Sequence, residues 1–153
     1  MEWRYIDHSD TDLLRQAHEW EKAFPMFYKE SHRFWAATMD EALEFYSRCI
    51  LCGLFEGKEF VGLIYMDKFE SSLNVHLDLK RGHQIESALI EKVRDDQFRK
   101  GIKTAQVWVM RKNTALRRIL EAAGFDDSGL SVRQGHSHGR VLHWHQLVAV
   151  RGF

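Results

Sequence analysis

The hydrophobic pattern of this chain changes period several times, and each change marks an element. Glu2 to Ile6 reads as a short strand, after which Ser9 or Asp10 can cap a helix whose apolar face is Leu13, Ala17, Trp20 and Phe24. Phe24-Pro25 closes that helix. An aromatic loop follows, and a second helix carries the stripe Ala42, Phe45, Tyr46 and Cys49. Leu51 to Phe55 and Phe60 to Met66 flank Glu56-Gly57-Lys58, the pattern of a hairpin with a tight glycine turn. From Leu73 to Leu79 the residues alternate strictly. Leu73, Val75, Leu77 and Leu79 fall on one face of a strand, and Asn74, His76 and Asp78 on the other.

A helix is predicted to begin near His83, with Ile85, Ala88, Leu89 and Val93 inward and Gly101 as its end. Thr104 to Met110 is apolar enough for a central strand covered on both faces. Strand, helix and strand at this spacing form a right-handed crossover with parallel strands. Asn113 then opens a helix bearing Leu116, Ile119, Leu120 and Ala123, which Gly124 ends as a left-handed cap. Leu130 to Gln134, a Gly135-His136-Ser137-His138-Gly139 connection, and Arg140 to Val150 complete the chain as a hairpin.

Composition narrows this picture. A chain of 153 residues with 44% hydrophobic and 29% charged residues suits one domain with a real core. Lys plus Arg and Asp plus Glu are each 22, so no global field favours nucleic acid or an anionic membrane. The amino terminus lacks the pattern of a signal peptide and no apolar run is long enough to span a bilayer, so a soluble, cytoplasmic protein is expected. Cys49 and Cys52 have a redox-motif spacing, yet their positions beside an apolar helical face and in a strand read as buried side chains.

Asn113, the amphipathic helix, Gly124-Phe125 and the upstream Arg81-Gly82 together resemble the second half of the GNAT superfamily of acyl-CoA N-acyltransferases. The order of elements matches that family along nearly the whole chain. The resemblance implies an α/β (α+β) fold: a mixed, mostly antiparallel seven-stranded sheet with four helices and a central parallel pair splayed at its carboxyl ends. It also implies acetyl-CoA as co-substrate, held by strand amides at Leu77 and Leu79, by the loop Arg81, Gly82, His83, Gln84 and Ile85, and by Asn113. His76 and Asp78 are the candidate general bases. Phe27, Tyr28, Phe34 and Trp35, with Lys29, Glu30, His32 and Arg33 between them, fall where the family builds its acceptor wall; the same rings could instead cap the core or contact a second copy in a homodimer.

Two departures stand out. The family's phosphate loop has small residues at the positions of Gln84 and Glu86, and a carboxylate in a first helical turn opposes a pyrophosphate unless it faces solvent or back-bonds to the amides as a capping box from His83. The family's tyrosine acid falls at Leu120. The resemblance therefore implies an acetyl-CoA-dependent N-acetyltransferase of a small-molecule or protein amine, with a catalytically inactive GNAT-fold interaction module as the alternative. Nucleic acid is disfavoured, since Lys112, Arg117, Arg118 and Arg133 offer only a local patch. His136, His138, His143 and His145 have the spacing to gather imidazoles around a metal if the hairpin folds symmetrically, but no carboxylate lies nearby and surface histidines are the preferred reading.

Overall fold

A computed structural model describes residues 1–23, 38–137 and 139–152. The elements run β1 (Glu2–Tyr5), α1 (Thr11–Ala23), α2 (Met39–Tyr46), β2 (Ile50–Glu56), β3 (Glu59–Phe69), β4 (Ser72–Leu79), α3 (Ser87–Arg99), β5 (Thr104–Met110), α4 (Thr114–Ala122), β6 (Asp126–Ser137) and β7 (Arg140–Val150). This is the predicted order. The strands form one seven-stranded sheet, β1-β2-β3-β4-β5-β7-β6, in which β4 and β5 are parallel and every other neighbouring pair is antiparallel.

Strand alternation gives the sheet two covered faces. Leu73, Leu77 and Leu79 of β4 and Ala105, Val107 and Val109 of β5 share a core with Leu89, Ile90 and Val93 of α3 and Leu116 and Leu120 of α4. On the opposite face Leu63 and Tyr65 of β3 pack with Leu14 and Ala17 of α1 and Ala42 and Tyr46 of α2. Each core draws on both strands and helices, so neither layer buries its apolar face alone. Close approach is needed between β3 and β4: a Cβ on Gly62 would lie 3.1 Å from the backbone oxygen of Asp78 and 2.8 Å from Leu79.

Several boundaries differ from the periodic reading. The buried stripe of α1 is Leu14, Ala17 and His18, while Leu13 and Trp20 are only partly buried. A histidine carries no apolar signature, so its place on the inner face was hidden. Helix α2 stops at Tyr46 and Cys49 follows in a turn, its N–H on the Tyr46 carbonyl at 3.0 Å. Cys49 and Cys52 are free and buried, and burial pushes both thiols up to about 12. Helix α3 starts at Ser87 rather than His83; Ile85 is buried from an extended segment, and Ala88 is exposed. The second face of β5 is only partly covered, because Gln106 there hydrogen-bonds to the side chains of Asn74 and Gln146. Strand β6 is longer than the Leu130 to Gln134 run, and the register shifts between Asp127 and Ser131, where Ser-Gly masks the strand pattern. The strand runs to Ser137, so Gly135, His136 and Ser137, read above as part of the connection, belong to it.

The edge strand β1 is tied to α3 by one polar cluster. The Tyr5 hydroxyl donates to Asp96, Gln97 Nε2 donates to Tyr5 at 2.7 Å, and Lys100 lies 3.1 Å from Asp96 and 4.2 Å from the Tyr5 ring centroid. Burial, then the Asp96 contact, raises the tyrosine pKa, and the tyrosine hydroxyl holds Asp96 below the usual carboxylate range. Tyr5→Phe should cost roughly 1 kcal/mol, about 2–4 °C in Tm for a chain of this length. The Asp96 contribution is present above the unfolded carboxylate pKa and lost as pH falls through its lower folded value. That of Tyr5 is present below the ordinary tyrosine pKa and lost as pH rises through its raised one. Thermal melts across pH should therefore show the Tyr5→Phe penalty largest between these limits and shrinking at both extremes; a penalty constant across pH would remove the cluster from this role.

Candidate functional site

The parallel pair opens after three register positions. Ser72, Leu73 and Asn74 face Thr104, Ala105 and Gln106, and no pairing follows, although β4 continues to Leu79 and β5 to Met110. Side chains fasten the closed end: Thr104 Oγ1 donates to Ser72 Oγ at 3.0 Å and Gln106 Nε2 donates to Asn74. At the open end each strand is held by its other neighbour, β4 by β3 and β5 by β7.

Backbone groups consequently line the gap. The Lys80 N–H donates to the Val61 carbonyl at 2.8 Å, toward β3. Since successive N–H groups alternate sides along a strand, those of Leu79 and Leu77 point into the opening. The Arg111 N–H donates to the His143 carbonyl of β7 at 2.8 Å, and the same alternation turns the amides of Met110 and Trp108 toward the gap from the far side.

Two helices start at the mouth of this opening. Between β4 and α3 the chain turns at Lys80 to His83, with the His83 N–H on the Lys80 carbonyl at 3.2 Å and Gly82 at φ 87, a conformation that suits only glycine without strain. The segment then extends. Ile85 is buried and pins it to the core, while Gln84 and Glu86 alternate outward and are exposed. Glu86 is the N-cap of α3 at φ −85 and ψ 142, and its side chain makes no capping bond. The capping box expected from His83 is thus absent, because the helix begins later. The first amides of α3 have no helical acceptor, and the dipole of α3 adds partial positive charge there. Lys80 is salt-bridged to Glu59, whose carboxyl is held below its usual range by that hydrogen bond first and by the Lys80 charge second. Asn113 caps α4, its side-chain oxygen accepting the Leu116 N–H at 3.2 Å, which leaves its amide NH₂ as donor capacity beside the gap.

Behind the open end of β4, on the α1/α2 side, His76 and Asp78 are 1% and 2% exposed. His76 stacks on Tyr65 with centroids 4.8 Å apart, and Phe45 meets it edge-on at 6.0 Å. Tyr46 donates its hydroxyl to Asp78 Oδ2 at 3.2 Å and packs edge-on against Tyr65 at 5.2 Å. The structure therefore brings both candidate bases into one aromatic cluster with Tyr46 and Tyr65. The sequence pattern does not single out either tyrosine as a site residue, since both sit on apolar stripes and only packing between the elements brings them to His76 and Asp78.

Other sequence candidates are placed as follows. Phe27, Tyr28, Phe34 and Trp35 lie outside the described residues. Leu120 is buried in the α3/α4 core with Leu116. Of the hairpin histidines, His138 lies outside the described residues; His136 pairs with Val141, whereas His143 pairs with Arg133 and His145 with Ser131, so His136 is not opposite the other two. Among the described residues no three His, Cys, Asp or Glu side chains form a metal-binding group.

No protein-family model and no curated protein matches this sequence. Solved structures do. A ribosomal-protein-alanine N-acetyltransferase from Brucella melitensis superposes with a TM-score of 0.74 at 15% identity, covering 99% of this chain and 100% of its own. An F149A mutant of the spermidine N-acetyltransferase SpeG from Vibrio cholerae gives 0.77 at 17%, covering 98% and 95%. The structure of yncA from Salmonella typhimurium with its cofactor acetyl-CoA gives 0.77 at 16%, covering 98% and 93%. At these identities the likeness is one of fold, and the fold is that of the GNAT N-acetyltransferases.

Removing the phenol from the buried cluster tests its weight. Tyr46→Phe leaves Asp78 without this donor and should lower stability by about 1–2 kcal/mol, read as a shifted midpoint in urea with an unchanged slope. A midpoint equal to that of the wild type would show that the Tyr46–Asp78 bond carries no net stability.

Proposed function

We propose that this protein is an acetyl-CoA-dependent N-acetyltransferase acting on a small-molecule or protein amine. The observation that carries the reading is the gap between β4 and β5, where outward strand amides and two helix N-termini converge. Such an arrangement suits a long, amide-bearing chain that ends in phosphates: strand amides of Leu77 and Leu79 pair with its peptide-like groups, and the Arg81-Gly82-His83-Gln84-Ile85 loop with the start of α3 receives its anionic end. The residues fit this role because the Glu86 carboxylate does not occupy the α3 amides and faces solvent. When bound, acetyl-CoA supplies an acyl carbon activated as a thioester and a thiolate that leaves.

The chain's own groups do the rest. The Asn113 amide can donate at the gap. His76 or Asp78 takes the proton that the amine nitrogen loses as its bond to the acyl carbon forms. Tyr46 orients Asp78 for that task. Leu120 cannot donate a proton, so the leaving sulfur takes its proton from water.

A second reading, a GNAT-fold protein that has lost acyl transfer and binds a protein partner, is favoured by Gln84 and Glu86 in place of small residues and by Leu120 in the core. Calorimetry with acetyl-CoA separates the two. The transferase reading expects saturable binding, weak enough that Kd exceeds about 1 μM. No binding at millimolar ligand would leave the interaction module. Because Glu86 is exposed, Glu86→Gly should tighten acetyl-CoA by less than about 1 kcal/mol. A larger gain would mean that the carboxylate turns toward the bound phosphates.

Thiol release from acetyl-CoA, screened over polyamines, amino acids and peptides with free amino termini, identifies the acceptor. With that acceptor, His76→Ala or Asp78→Asn should lower kcat roughly 10²–10⁴-fold, whichever is the base, and alter the pH profile. Full activity in both variants would place the base elsewhere.

A further inference from the structure

A second concavity lies on the other side of the sheet. It has a volume of about 340 Å³ and is lined by Arg111, Ser131, Val132, Arg133, His143 and His145. Register fixes which way most of these residues face. His145 is opposite both Val109 of β5 and Ser131 of β6, Arg133 is opposite His143, and the Arg111 N–H reaches the His143 carbonyl. Residues paired across a sheet share a face, and Val109 belongs to the α3/α4 core. This group therefore lies on the face opposite His76 and Asp78, which pair with Tyr65 and Leu63 of the α1/α2 core.

Its chemistry is one-sided. Two guanidinium groups, two imidazoles and a hydroxyl converge from three strands, and no carboxylate lines the cavity. Asp127 of β6 is engaged elsewhere, by Arg117 at 2.9 Å and by the Gly129 N–H at 2.8 Å. Among the described residues, no ion pair or hydrogen bond engages the side chains of Arg111, Arg133 or His143. By comparison, Arg94, Arg99 and Arg117 are each paired with a carboxylate. Two guanidinium groups brought together without a counter-charge repel one another, so the cluster gains from a bound anion and opposes a metal cation. Guanidinium forks match phosphate oxygens in pairs, and the imidazoles and the Ser131 hydroxyl supply donors for further oxygens. The volume, about ten times that of one water, also admits a small organic group.

We propose that this cavity is a binding site for a small phosphate monoester, separate from the β4/β5 gap. Inorganic phosphate and phenyl phosphate, titrated at low ionic strength and followed by ¹H–¹⁵N NMR, test it. Both should give saturable shifts at residues 131–133 and 143–145, with phenyl phosphate at least as tight. Arg111→Gln and Arg133→Gln, both at exposed positions and checked for folding by the same spectra, should each weaken binding at least about tenfold. Saturation with acetyl-CoA should leave these shifts in place, and acetate at equal ionic strength should not reproduce them. The proposal is overturned by shifts that do not saturate, by variants that bind as the wild type does, or by an equal response to acetate. It is also overturned if acetyl-CoA abolishes the response or if the shifts appear instead at residues 81–88, either of which would assign the phosphate to the mouth of the gap. Arg133 lies on β6, with β7 between it and β5, so failure here leaves the acetyl-CoA reading standing.

Discussion

Backbone polar groups inside a protein must be paired, and at the open end of β4 and β5 this sheet leaves them facing a gap. Much else in the molecule serves to keep that gap open. β4 is locked to β3 along its whole length, with Gly62 permitting the close approach near Asp78 and Leu79. β5 is locked to β7 in the same way. The Ser72–Thr104 and Asn74–Gln106 contacts then hold the strands together at one end only. Unpaired amides facing one another across a fixed opening would be costly in a sealed core. Here they lie where two helices begin, so the same site presents both strand donors and helix-terminal donors to a ligand.

The two faces of the sheet divide the labour. On the α3/α4 side β4 and β5 contribute aliphatic side chains, and the helices set the electrostatics of the mouth through their N-termini. On the α1/α2 side the same strand carries His76 and Asp78 into an aromatic enclosure where Tyr65 stacks on the imidazole and Tyr46 hydrogen-bonds to the carboxylate. A strand with apolar residues on one face and ionisable ones on the other can thus join a ligand channel to a proton acceptor without any loop between them.

The departures at Gln84, Glu86 and Leu120 have different physical weights. Gln84 and Glu86 stand in an extended segment pinned by Ile85, so their side chains leave the backbone amides accessible. Leu120 is a core residue, and its packing against the α3/α4 layer leaves no proton donor at that helical position. In the transferase reading proposed above, the first two would affect how closely a phosphate approaches the loop, and the third the protonation of the leaving sulfur.

The sequence by itself determined the order of elements, the parallel pair and the place of Asn113, because each rests on local periodicity and on capping or turn residues that act within a few positions. It also set His76 and Asp78 on the face of β4 opposite its leucines, since alternation in a strand is a local property. Tertiary structure decided the rest. That α3 starts at Ser87 depends on Ile85 finding the core from an extended segment, which periodicity reads as one more helical turn. That His18 lies on the inner face of α1, that Tyr46 reaches Asp78, and that His143 and His145 meet Arg111 and Arg133 rather than His136 are outcomes of register and of packing between elements far apart in the chain. Such contacts are set by which surfaces are brought together, and a hydrophobic pattern records only that each residue has a face, not what will be placed against it.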